Sequence, residues 1–136
     1  MWNYGAFPQT WEDPAHKTVD CENCIGDNDP LDVIDIGQRQ WSTGSIVRVK
    51  PLGIVAMIDS GETDWKVISI NVEDPMAHLL HDLDDVQTHC PNLYACCLVR
   101  CPRLHETVAL ASQDRVLCAL AQVLQVRQRR HQRIRL

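Results

Sequence analysis

Six acidic residues in two short runs could do chemistry here: Asp27, Asp29 and Asp32 in GDNDPLD, then Asp59, Glu62 and Asp64 in MIDSGETDW. They are set among Val- and Ile-rich segments, where unpaired carboxylates are costly. Two carboxylates about 5 Å apart repel by roughly 3 kcal/mol at an effective dielectric near 20. A gathering of them calls for a counter-charge, and an all-oxygen donor set suits a hard divalent cation. Mg²⁺ fits best, since it binds through a few carboxylates and leaves positions for water and phosphate. Lys66 follows Asp64 by two residues, on the same face of a strand. An ammonium beside a carboxylate-held cation is what a multiply charged phosphate oxyanion needs.

Each feature taken alone has a plainer reading. A DxD on a loop is commonly a turn capped by its own Asp side chains. Asp59 and Asp64 are ordinary hairpin acids, Glu62 a turn residue, Lys66 a strand-edge cation, and Tyr4 and the tryptophans core. Only the combination points to a site. Two rival motifs fail on the same residues. A calcium-binding EF-hand loop needs a ligand where Leu31 stands, Gly at Asp32 and Glu at Gln38. A nucleophilic Asp at the end of an apolar strand is ruled out by CENCIG before Asp27.

The elements that position these acids read as short β segments: Leu31–Ile36, Ser45–Lys50, Leu52–Asp59 and Asp64–Val72. Pro51 and Gly53 predict a bend or bulge. The turn SGET joins two apolar strands, so a tight hairpin brings Asp59 and Asp64 to one rim. Residues 1–14 are aromatic and turn-rich, and Asp20 to Pro30 reads as loop. Asp74-Pro75 starts a turn or short helix, and Asp82–His89 is another turn or short helix. Spacing of this kind predicts a small barrel or strongly curved sheet. Leu117, Leu120, Ala121 and Leu124 recur at helical spacing, predicting helix within Leu104–Val126.

The 136 residues suffice for one domain, and the net charge of −5 hides an asymmetry. Residues 1–89 hold 16 acidic and 5 basic side chains (−11), residues 90–136 hold 2 acidic residues and 8 Arg (+6). Every Gly lies at or before Gly61 and every Lys at or before Lys66. The break predicts two regions of different origin or role. The Arg-rich end reads as a solvated tail or a phosphate-backbone contact. Cys21 and Cys24 have CxxC spacing, but no second pair or His follows at zinc-site spacing. The odd cysteine count of 7 fits reduced thiols in the cytosol. No apolar run approaches the roughly 18 residues that span a bilayer.

Three longer stretches carry a resemblance: WNYGAFPQTWEDP at 2–14, DNDPLDV at 27–33, and LGIVAMIDSGETDWKVISINVEDP at 52–75. Together they closely resemble soluble inorganic pyrophosphatases of the eukaryotic type, from about Trp2 to His89. The resemblance implies a mainly β, or α+β, fold: a partial OB-like barrel hydrolysing inorganic diphosphate with Mg²⁺ in the cytoplasm, with no membrane or nucleic-acid partner. It implies Asp27, Asp32 and Asp64 as ligands of the two principal metal ions, and Asp59 as a further ligand once metal-bound diphosphate arrives. Asp29 becomes the acid that orients and deprotonates the attacking water, and Lys66 and Tyr4 the phosphate contacts. Glu12 is a peripheral metal contact. Family members, often homo-oligomers, begin upstream of Trp2 and continue past His89 with segments this chain lacks. The expectation is therefore a partial pyrophosphatase domain over 1–89 and an unrelated, helical or disordered tail over 90–136, from a shifted frame, an intron or a misjoined gene. Activity is then expected to be weak or lost, with a metal-binding remnant that associates with a partner subunit as the alternative. Ser60, where the family carries an acid, is a minor departure.

Overall fold

β-branched runs bounded by turns build most of the chain, and the computed structural model describes residues 2–91 together with 109–111. Its centre is a hairpin of two long strands, β5 (Val49–Asp59) and β6 (Glu62–Asn71). The residues between them, Ser60 and Gly61, both take left-handed φ, 57° and 86°. That is the geometry a two-residue hairpin turn requires, and glycine accepts it without strain.

On its other edge β6 takes two parallel partners from one stretch of chain, β3 (Cys24–Gly26) and β4 (Asp32–Asp35). β1 (Asn3–Ala6) adds antiparallel to β4, and β2 (Lys17–Thr18) adds antiparallel to β3. β7 (Ala109–Ala111) pairs with β5 at Ile54–Ala56, completing seven strands in one sheet. Among the described residues the fold is mainly β with one short helix, and their strands do not close into a complete barrel.

Cross-strand partners share a face of the sheet. Ile34 lies opposite Ile68, and Asp32 and Val55 both lie opposite Lys66. One face thus grades from a core of Ile34, Leu52, Val55, Met57, Ile68 and Ile70 into the polar rim that carries Asp32, Asp64 and Lys66. The helix α1 (Leu83–His89) covers the apolar end. Asp82 caps it by accepting from the Asp85 amide at 2.9 Å, and its own Val86 is buried together with the preceding Leu80. Leu31, Ile54 and Val67 form a second cluster on the opposite face.

Three expectations need correction. Residues 20–30 are not all loop, because a 3-10 turn (Val19–Cys21) runs into them and β3 lies within them. Backbone pairing with β6 and the burial of Cys21 in an apolar cluster override the polar local composition. Ser45–Lys50 is not a separate strand. Ile46 is almost fully exposed, and only Val49 and Lys50 join β5, which passes Pro51 by a bulge. Within the stretch read as helix over Leu104–Val126, Ala109–Ala111 is a strand, because the edge of β5 offers backbone groups that an extended segment satisfies. The rest of that stretch, and the Arg-rich end, lie outside the described residues. Of the turn or short helix read at Asp82–His89, the structure shows the helix α1, and the bulge near Pro51 and Gly53 is found as the pattern predicts.

Candidate metal and phosphate site

Register explains how the first acidic run reaches the second. Gly26 lies opposite Thr63 and Asp32 opposite Lys66, so the chain takes six steps on one side while β6 takes three. The surplus bulges out as Asp27–Leu31 beside Asp64 and Trp65. Asn28 adopts φ 73°, and the Asp29 amide donates to Asp27 Oδ1 at 2.9 Å, a self-capped turn.

A second segment clamps this excursion. The Phe7 amide donates to Leu31 O at 2.8 Å, Glu12 N to Asp29 O at 2.9 Å, and Asn28 N to Glu12 O at 3.0 Å. Thr10 Oγ1 accepts from the Leu31 amide, and Trp11 Nε1 donates to Asn28 Oδ1, both at 2.9 Å. Gly26 is required where the two segments meet: a Cβ there would stand 2.5 Å from the Glu12 carbonyl carbon and 2.7 Å from its oxygen. That approach is far inside van der Waals contact, with backbone that cannot swing away.

The clamp delivers Glu12 to the acids. It is 4 % exposed, and its Oε1 accepts from the Trp65 amide at 3.1 Å. Its Oε2 is buried without a partner. Carboxylate oxygens of Glu12, Asp27 and Asp64 all lie within 4.8 Å of one another. Burial, then the charge of Asp27, pushes the Glu12 carboxyl up to about 9. Burial also raises Asp27, opposed by the Asp29 amide and reinforced by Asp64. A carboxylate with one orphaned buried oxygen, gathered with two further carboxylates in an all-oxygen donor set, fits a hard divalent cation.

Beside the trio runs a cationic network. Lys66 Nζ donates to Asp32 Oδ2 at 2.5 Å, to Asp64 Oδ1 at 2.6 Å and to Tyr4 Oη at 2.9 Å. Tyr4 donates in turn to the same Asp32 oxygen. Burial alone would lower the Lys66 pKa, but the bonds to Asp32, Asp64 and Tyr4 outweigh it and raise it. Burial and the bond to Asp32 push the Tyr4 hydroxyl up to about 12.

The fold therefore brings Asp27, Asp32, Asp64, Lys66 and Tyr4 together. Asp29 stays exposed next to Asp27, held by its backbone on both sides. Asp59 ends β5 opposite Glu62, on the face that carries Asp64 and Lys66, and accepts from Ser60 Oγ at 3.1 Å; it lies outside the trio. Reading the sequence underrated Glu12. Its neighbours Trp11 and Thr10 signalled only an aromatic, turn-rich segment, and nothing local to residue 12 foretells its burial against Trp65.

The inorganic pyrophosphatase family model matches residues 1–95. The inorganic pyrophosphatase of Bos taurus is 61% identical over 87 residues, 64% of this chain and 30% of that protein. Soluble inorganic pyrophosphatase 6, chloroplastic, of Arabidopsis thaliana is 54% identical over 90 residues, 66% of this chain and 30% of that protein. An N-terminal domain truncated Trypanosoma cruzi vacuolar soluble pyrophosphatase, solved in complex with PPi, superposes with a TM-score of 0.80 at 32% identity, over 97% of this chain and 54% of that one. The chain thus spans 30% of the length of these two curated relatives. On the family match, which covers more than half of its residues, the chain belongs to the inorganic pyrophosphatase family.

Proposed function

We propose that this chain hydrolyses inorganic diphosphate to two phosphates with Mg²⁺ at the rim formed by β4, β6 and the 27–31 loop. The observation that supports this most is the buried Glu12, with its Oε2 unpartnered and its carboxylate gathered with those of Asp27 and Asp64, and with a lysine and a tyrosine immediately beside them. The PPi complex of the Trypanosoma cruzi relative supports the same substrate.

Asp27, Asp32 and Asp64 would hold the metal, with Glu12 behind Asp27 and Asp64 and with Asp59 joining from the hairpin end. Bound Mg²⁺ supplies positive charge to the phosphate oxygens and to the attacking water. Asp29 is exposed beside Asp27, where a carboxylate can orient that water and accept its proton. Lys66 and Tyr4 offer donors to phosphate oxygens as charge develops on them. Their strands hold these groups in place before substrate arrives, so positioning does much of the work. The compartment we assign is the cytoplasm; no helix among the described residues is long and apolar enough to cross a membrane.

The test is Mg²⁺-dependent phosphate release from diphosphate by the 136-residue chain, beside Asp29→Asn. Turnover lost in the variant is the expected result. None by either would refute the assignment for this chain and leave a metal-binding remnant, whereas equal release by both would remove Asp29 from the reaction. We also read residues 1–89 as the pyrophosphatase domain and 90–136 as a tail unrelated to it. Reading the transcript across the codons for Thr88 to Tyr94 tests that division, and a clean in-frame message would sink the shifted-frame origin.

A further inference from the structure

Four carboxylates, Glu12, Asp27, Asp32 and Asp64, converge on this rim, and among the described residues one cationic side chain forms salt bridges with any of them. Lys66 spends all three of its ammonium protons there, on Asp32, Asp64 and Tyr4. Its side chain is only 11% exposed. Asp64 is shared: one face of the constellation sets it against Glu12 and Asp27, the other against Lys66. Asp32 and Asp64 sit on paired strands and cannot move apart, whereas a lysine has a flexible four-carbon stem.

A divalent cation drawing on Asp32 and Asp64 and an ammonium in contact with the same carboxylates repel one another at close range. Resting on the reading of this rim as a metal site, we propose that Lys66 is a built-in counter-cation that competes with the divalent metal for Asp32 and Asp64. Metal uptake displaces its ammonium from both. The lysine thereby neutralises the acids in the metal-free chain and holds metal affinity below what the four carboxylates alone would give. It leaves its carboxylates, and becomes available to an anionic ligand, only when the metal is seated.

The unusual consequence is that removing this residue should tighten metal binding. Calorimetric titration with Mg²⁺, and with Mn²⁺ followed by electron paramagnetic resonance, should be run without diphosphate on the unaltered chain, Lys66→Met and Lys66→Arg. Lys66→Met should bind about tenfold more tightly or better, because a contact charge at intermediate dielectric carries at least that weight. Lys66→Arg should bind no more tightly than the unaltered chain. Affinity that ignores residue 66, or weakens in a folded Lys66→Met, overturns the competition while leaving the metal site standing. Metal binding absent from every variant refutes the site and the competition together.

Because Lys66→Met leaves two acids unpaired and could fail to fold, a second measurement uses the unaltered chain. Amine-reactive labelling, read by peptide mass spectrometry, reports Lys66 against Lys17 and Lys50, the only other lysines. Saturating Mg²⁺ should raise labelling of Lys66 several-fold and leave Lys17 unchanged. Unchanged labelling of Lys66 at saturation overturns the displacement.

Discussion

The 27–31 loop and the 59–62 hairpin turn look alike in sequence, each an acidic run adjoining an apolar strand, yet the fold treats them differently. The loop is held by five hydrogen bonds from residues 7–12, between Phe7 and Leu31, Glu12 and Asp29, Asn28 and Glu12, Leu31 and Thr10, and Trp11 and Asn28. That support presses Asp27 against Asp64 and buries Glu12 behind them. The hairpin turn is closed by its own backbone and leaves Asp59 beyond the trio, with Ser60 Oγ as a neighbour. Carboxylates converge where a second segment supplies the bonds that offset their repulsion, and a self-sufficient turn has no means to do so.

The comparison breaks first at the metal. Asp64→Asn, which disrupts both the trio and the Lys66 pair, should weaken Mg²⁺ affinity on the order of 100-fold, the upper range for groups that organise a metal site. Asp59→Asn should change it less than about threefold without diphosphate. Calorimetry decides, and equal losses would erase the distinction between loop and hairpin.

Glycine substitutions sharpen the same contrast through stability. Gly26→Ala drives a Cβ into Glu12 backbone and should cost about 2–3 kcal/mol in urea unfolding. Gly61→Ala meets open space but keeps φ at +86°, so about 1 kcal/mol is expected from conformational strain alone. A reversed order would mean that the clamp yields more readily than the hairpin.

Acidity offers a third test. The Glu12 carboxyl ordinarily titrates near 4.5 and is raised to about 9 in the folded, metal-free chain. The folded state therefore retains a proton that the unfolded state has lost, and this contribution to stability is full below 4.5 and disappears as pH rises towards 9. Thermal unfolding of the metal-free chain should show midpoints that fall across that window, with Glu12→Gln flattening the fall. Mg²⁺ should stabilise more at the alkaline end, where Glu12 is ionised; a slope indifferent to residue 12 would place the titrating group elsewhere. The smallest effect belongs to Trp11→Phe, which removes the 2.9 Å bond to Asn28 and should cost about 0.5 kcal/mol in the same urea assay.

Much of this was legible before any fold was known. The period-two rule put Asp64 and Lys66 on one face, and the structure joins them at 2.6 Å. The apolar runs marked β4, β5 and β6, and Pro51 with Gly53 marked the bulge. β3 was not legible, because CENCIG has little strand character and its conformation comes from pairing with β6. The strand at Ala109–Ala111 was read as part of a helix for a similar reason: an exposed edge of β5 decides it, not its own Ala and Leu.

The sequence by itself determined which groups this protein can bring to a site: the acids, the lysine, the tyrosine, and the strand period that aligns neighbours two residues apart. Only the tertiary structure decided that Glu12 joins Asp27 and Asp64, and that six residues on one edge face three on β6. Period and composition act over a few residues, whereas burial and charge repulsion are set by whatever distant segment packs alongside. Glu12 and Trp65 are 53 positions apart along the chain, and their 3.1 Å contact exists only because the sheet between them is built.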